Sequence, residues 1–428
     1  MSTPSQTRAA GTAAEGSPSA RGSRARAAVI TTTLAVAWFL VAANIAVVPP
    51  LLTFVAADLE LSPARQGALL VALPLASFLG NVLFGPLVDR IGRSRSMVLG
   101  TAGAAVSLGC FAFIGDGTTA IVLRAVTGLL MPLIGISVFP CLTECFPPER
   151  RLALTGYVIA SGSFAQMVTA PAAVVVAGRG SWRWGFLALA AVAALASLSA
   201  LLTMPHRRRS AAPRSAAQHL RSLVPPRRAG IRGGVMAFYA FIFSLFTVTT
   251  LYPTWLLSGL GADRTAAENS AALLFLVGGG VAVAVASVIG TIPVRLQRTV
   301  LFVALLLPAV VVLAMPATAK TYGAQMATYS LLVGLQSLAS PMLRARINLL
   351  ADEDEITSLN ASLNAGYQLA AAAASALSAL LFQLTPSFWL NAGVAALGFC
   401  AAAAMFTAGR DDRQDRSETT ARASRSGP

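Results

Sequence analysis

Apolar runs of membrane-spanning length alternate with short polar interruptions from residue 29 to residue 408. A helix needs about 20 mostly apolar residues to cross a hydrocarbon layer about 30 Å thick. Lipid also obliges a chain to satisfy its own backbone hydrogen bonds, which a helix does within one segment. The pattern predicts twelve helices, at 29–57, 66–88, 97–115, 120–142, 153–177, 184–204, 234–258, 268–291, 299–316, 323–343, 358–383 and 388–408. The expected fold is an all-α integral membrane protein of two pseudo-symmetric six-helix bundles, 29–204 and 234–408. Residues 205–233, the longest interruption, read as a linker, and 1–28 and 409–428 as disordered tails, being polar and without apolar periodicity. The first apolar run is too long for a secretory signal, so no cleavage is expected.

Composition agrees: 56% of the 428 residues are hydrophobic and 11% charged. The charge is strongly asymmetric. One set of loops and both tails carry Arg8, Arg21, Arg24, Arg26, Arg90, Arg93, Arg95, Arg150, Arg151, Arg295, Arg298, Arg344, Arg346, the linker arginines and the tail arginines. The other set carries only Arg65, Arg179, Arg183, Arg264 and Lys320. The positive-inside rule then puts both termini in the cytoplasm, in a cell membrane. The net charge of +15 is a topology signal and a contact for anionic lipid heads, and calls for no nucleic-acid partner.

The halves carry a faint repeat. An offset of about 205 residues lays Gly85–Arg93 on Gly290–Arg298, preserving the leading glycine and two arginines. Gly156-Tyr157 and Gly366-Tyr367 match at nearly the same offset. Parallel duplicated halves with a binding site between them are a transporter architecture.

The richest motif is Gly85-Pro86-Leu87-Val88-Asp89-Arg90-Ile91-Gly92-Arg93-Ser94-Arg95, between the second and third spans. It resembles the signature loop of the major facilitator superfamily, departing from it at Ser94. Arg124-Ala-Val-Thr-Gly128, Phe146–Arg151 and Trp182-Arg183-Trp184-Gly185-Phe186 are similar to further motifs of that superfamily, most like its drug:proton antiporter branch. The glycine-rich motif of that branch in the fifth span is incomplete: Gly162 is present, but Ala170-Pro171 stands where Gly-Pro is usual. The resemblance implies a monomeric secondary transporter that exports a small molecule by alternating access, coupled to protons. Uptake of a small anion and a transporter-like sensor are the alternatives.

An arginine inside a span costs about 2.5–3.5 kcal/mol on insertion scales, so Arg124 should face the protein interior or a watery cavity. It is the leading candidate for substrate binding or coupling, with Asn44, Gln336, Asn364 and Gln368. The last two lie four residues apart and share a helix face. Asn81, Gln166, Trp38, Tyr239, Phe243 and Tyr367 are further candidates for the cavity wall. No carboxylate falls in the middle of any predicted span, and Asn44 stands where related transporters commonly carry an acid. A positive charge without a buried negative one favours an anionic or neutral substrate.

The resemblance also predicts a conformational gate. Gly85, Asp89, Arg90, Gly92, Arg93 and Arg95 would pack against Asp352, Asp354 and Glu355 of the other half when the inside closes. No cofactor, metal or enzymatic role is expected. Lys320-Thr321 lacks the glycines of a phosphate-binding loop, no G-x-S-x-G elbow occurs, and Cys110, Cys141, Cys145 and Cys400 have no accompanying histidine in the spans.

Overall fold

A computed structural model describes residues 18–204, 220, 223–225, 228–259, 264–319, 321–385 and 387–408. Residues 1–17, 409–428 and most of the linker lie outside these residues, whereas 18–28, expected as part of a disordered tail, form the start of the first helix. The architecture is entirely helical. The first half comprises α1 (Pro18–Asp58), α2 (Pro63–Ile91), α3 (Arg93–Phe111), α4 (Gly117–Cys145), α5 (Pro148–Arg179) and α6 (Arg183–Thr203). The second comprises α7 (Ala229–Thr249), α8 (Tyr252–Gly259), α9 (Arg264–Val288), α10 (Val294–Ala317), α11 (Tyr322–Leu349), α12 (Glu353–Leu384) and α13 (Trp389–Ala408).

Ten of these segments are long and apolar enough to cross a membrane. Both α3 and α11 fall short of that measure. The first turn of α3 carries Arg93 and Arg95, and α11 carries Gln325, Gln336, Arg344 and Arg346. The seventh predicted run is one membrane-length segment, Gly230–Leu256, with a break inside it. Pro253 cannot donate to the carbonyl of Thr249 and its ring crowds that position, so α7 stops there and α8 resumes at Tyr252.

Packing repeats between the halves. In the first, α2 packs on α4, α1 on α5 and α6, and α3 on α4 and α6. The second repeats this as α9 on α11, α7 on α12 and α13, and α10 on α11 and α13. Contacts between halves also come as a related pair, α2 on α12 and α5 on α9. Matching close approaches support the matching pairs. A methyl group on Gly162 would lie 2.7 Å from Trp38 Nε1, and one on Gly366 would lie 2.2 Å from the Tyr239 ring.

Small residues close the seam between halves away from the arginine-rich face. A methyl on Gly67 of α2 would come within 2.9 Å of Ala379 Cβ on α12. At mid-depth, one on Gly279 of α9 would lie 2.5 Å from Met167 Cα on α5.

Candidate substrate cavity

Arg124 is placed by its own helix. Asp116 caps α4, accepting from the backbone N–H groups of Thr118 and Thr119 at 2.9 Å. Hydrogen bonds from Thr119 and Thr118 hold the Asp116 carboxyl below its usual range. Arg124 follows seven residues into the helix, about 10 Å from its start. One turn on, Gly128 lets α4 touch the α2 backbone: a methyl there would lie 2.3 Å from Leu73 O. Ser77 Oγ fixes the crossing by donating to Gly128 O at 2.9 Å. The glycine one turn from Arg124 thus has a steric cause, the close crossing of α4 on α2.

There Arg124 is 3% exposed and Asn44 1%. Arg124 Nη1 donates to Asn44 Oδ1, and Nη2 donates to Asn44 O at 2.5 Å. Asn44 Nδ2 in turn points at Met131 Sδ, 3.7 Å away. Arg124 Nε is buried without a partner. A guanidinium held by two neutral oxygens keeps its full charge, and its Nε–H remains unused.

Arg124 forms part of the wall of a cavity between the halves. Ile45, Val48 and Pro49 of α1 and Leu70, Leu73 and Pro74 of α2 form one side of it. Phe246 of α7, Thr250 beyond its end, and Tyr367, Gln368, Ala371 and Ser375 of α12 form the other. Thr250 lines it because the chain breaks before Pro253, and its hydroxyl lies 3.1 Å from Ser375 Oγ. None of the lining residues is acidic. The cavity offers about 30 Å³ to the centres of water-sized molecules. That is room for a few waters, so a larger solute requires the halves to move.

Of the remaining predicted residues, Gln368 lines the cavity. Asn364 lies one turn nearer the arginine-rich face and is exposed. Its Oδ1 accepts from Arg344 Nη1 at 3.1 Å. Gln336 is half-buried on α11 and is not part of the cavity wall. Arg344 itself differs from expectation. The predicted span ended at residue 343, leaving it in a loop, but α11 continues to Leu349 and holds Arg344 within the helix. Its guanidinium sits 4.7 Å from the centre of the Phe238 ring. Nearby, Tyr239 donates to Ser362 O at 2.9 Å, and Tyr367 packs edge-on to Phe246 at 5.7 Å.

At the arginine-rich face, Gly92 alone separates α2 from α3, with φ 90° and ψ 149°. That backbone region is costly for any residue with a Cβ, which explains the glycine in the motif. Arg93 Nη1 meets Glu144 Oε1 at 2.5 Å, tying α3 to the end of α4. Asp352 pairs with Arg228, which precedes α7 and holds the Asp352 carboxyl below its usual range. In this conformation Arg93 and Asp352 are thus each engaged within their own half. Gly85 is buried, Asp89 and Gly92 half-buried, and Arg90 and Arg95 exposed. The side chains of Asp354 and Glu355 lie outside the described residues. On the opposite face, Trp182-Arg183 ties α6 to α1. Arg183 meets Asp58 at 2.7 Å and the Ile114 carbonyl at 3.1 Å, and Trp182 Nε1 donates to Asp58 at 3.2 Å.

Two helical halves packed around a largely apolar cavity with Arg124 in its wall give the frame of a multi-pass membrane transporter. Over residues 34–374 the sequence matches the Major Facilitator Superfamily, and the chain belongs to it. It is 34% identical over 89 residues to solute carrier family 22 member 6 of Rattus norvegicus, spanning 20% of this chain and 16% of that protein. To the human vesicular acetylcholine transporter it is 29% identical over 168 residues, 39% of this chain and 30% of that one. These matches span under a third of the relatives' lengths. The fold is similar to the crystal structure of a D-xylose-proton symporter, with a TM-score of 0.70 and 15% identity over 88% of this chain and 97% of that one. The xylose transporter of E. coli in a partially occluded inward-open conformation gives 0.68 and 14%, over 88% and 95%.

Proposed function

We propose that this transporter exports a small organic anion from the cytoplasm by alternating access between its halves. One observation carries the reading: the buried Arg124 guanidinium is held by neutral oxygens, keeps an unused Nε, and faces a cavity without an acid. A lipophilic cation would meet uncompensated repulsion there. The arginine asymmetry supports a cytoplasmic arginine-rich face and both termini inside. On that orientation the Gly67 and Gly279 contacts close the outer side. Packing of α3 and α11 among the apolar helices supports twelve crossings.

Proton coupling, implied by the resemblance to the antiporter branch, finds no mid-span carboxylate to act through. The membrane potential supplies a sufficient drive. Each negative charge leaving a cell interior negative by 100 mV gains about 2.3 kcal/mol. Alternation would form the inner gate by bringing Arg90, Arg93 or Arg95 onto Asp352, Asp354 or Glu355, with Asp89 facing the start of α12. Arg93 must then leave Glu144, and Asp352 must leave Arg228. Exchanges between partly exposed pairs, each worth about 1 kcal/mol or less, leave the two states close in energy.

Reconstitution into proteoliposomes tests the function. With a potassium diffusion potential imposed, labelled benzoate and short alkyl carboxylates should move toward the positive side, at rates unaffected by a pH gradient. Flux that requires the pH gradient, or that carries only cations or neutral solutes, would overturn the proposal. Uptake from the outer face alone would reverse the assigned direction.

A further inference from the structure

Arg344 and Asn364 lie outside the cavity wall but in line with it. On α12, Gln368, Ala371 and Ser375 line the cavity. Asn364 precedes Gln368 by four residues and so continues the same face toward the arginine-rich end. It is exposed there. From Asn364 to Ser375 the face extends about 16 Å, a polar track leading from Arg344 toward the level of Arg124.

The repeat of the fold argues that Arg344 is not scaffolding. At the offset of about 205 residues, Arg344 corresponds to Phe139 and Arg124 to Tyr329. Phe139 packs edge-on to Trp38 at 4.9 Å, and Tyr329 stacks on Tyr252 at 5.1 Å. Each half therefore tolerates an aromatic ring where the other carries an arginine. Helix packing requires a flat group at both places and a charge at neither. The two charges also differ in depth by about 15 positions, about 22 Å, so they cannot grip one small anion together. Arg344 makes one described hydrogen bond, to a neutral amide oxygen, and no carboxylate pairs with it among the described residues.

We propose that Arg344, oriented by Asn364 and Phe238, is an entry subsite for the carboxylate of the substrate, occupied from the cytoplasm before the anion reaches Arg124. The guanidinium lies over the Phe238 ring, 4.7 Å from its centre, and the N–H groups it does not give to Asn364 suit a carboxylate. This inference rests on the transport of anions proposed above and adds a second, earlier site.

The test needs no knowledge of the substrate. In a full-length chain with the four cysteines replaced by alanine, Gln368→Cys places a thiol on the track beyond Asn364. Its labelling from the cytoplasmic side is compared for an anionic and a cationic methanethiosulfonate of similar size. A unit positive charge several ångströms from the path should make the anionic reagent faster by about tenfold. Arg344→Gln should abolish the preference, millimolar benzoate should slow labelling, and Arg344→Lys should keep the preference but lose the benzoate effect. Equal rates for both reagents with Arg344 in place would overturn the subsite. A preference that survives Arg344→Gln but disappears in Arg124→Gln would also overturn it, while leaving the reading of Arg124 intact. Carboxylate flux in proteoliposomes decides that reading separately.

Discussion

Replacing Asn44 by aspartate tests the electrostatic basis of transport with almost no change in shape. Asn44 Oδ1 already accepts from Arg124 Nη1, so the substitution turns a neutral acceptor into a carboxylate in place. Both residues are at most 3% exposed, so an effective dielectric constant near 20 applies. An anion about 4 Å from the guanidinium gains about 4 kcal/mol there. A carboxylate at residue 44, about 6 Å from the same anion, returns about 3 kcal/mol of repulsion, or roughly 100-fold in affinity. The protein should meanwhile unfold at an unchanged or higher temperature, because the buried guanidinium acquires a partner of opposite charge. Benzoate flux in proteoliposomes reads the first effect, and thermal unfolding in detergent the second. Asn44→Asp with flux within threefold of the parent and normal stability would refute the claim that the net positive charge at Arg124 selects the substrate.

Arg124→Lys should transport no better than Arg124→Ala at equal protein levels, because one ammonium cannot serve both Asn44 Oδ1 and Asn44 O as the fork does. Normal flux in the lysine variant would reduce the requirement to charge alone. Gly128→Ala should cost about 1–3 kcal/mol, since the added methyl meets the Leu73 backbone, which cannot yield cheaply. Gly135→Ala on the same helix, where nothing lies within 4 Å, should unfold at the parent temperature. The Asp352 carboxyl is lowered by Arg228, so their pairing should persist above the ordinary carboxylate range and be lost as pH falls through the lowered value. A spin label at Ala351 should therefore gain mobility on acidification, and Asp352→Asn should show that mobility already at neutral pH.

Most helix positions were legible because glycine, proline and arginine punctuate an otherwise apolar chain. Two features it missed share a cause: hydropathy averages over residues whose neighbours it does not know. Pro253 sits in an apolar window, so the break after Thr249 left no trace in it. Arg344 ended the tenth predicted span, although α11 continues past it. Only helix contacts show that Phe238 shields its guanidinium. The repeat offset held the missing signal, since it sets Arg344 opposite Phe139, well inside α4. Arg124 and Asn44 were both recognised as intramembrane polar groups. Their pairing was not, because residues 80 positions apart become neighbours only through the packing of α1 on α4. Asn364 and Gln368 were legible as a pair because one helix carries both.

From mid-depth to the end away from the arginine-rich face, the seam between the halves is sealed by atoms that are missing. At Gly67 and Gly279 the opposing helices occupy the volume a side chain would fill, so any larger residue acts as a wedge in one conformation and is harmless once the halves part. Neither position lines the cavity. A strain of about 1–3 kcal/mol confined to one state shifts its population about 5- to 150-fold. Gly279→Ala is therefore a lever on the working cycle alone: it disfavours the conformation described here without touching the cavity wall. It offers a means of trapping the opposite conformer for structural study.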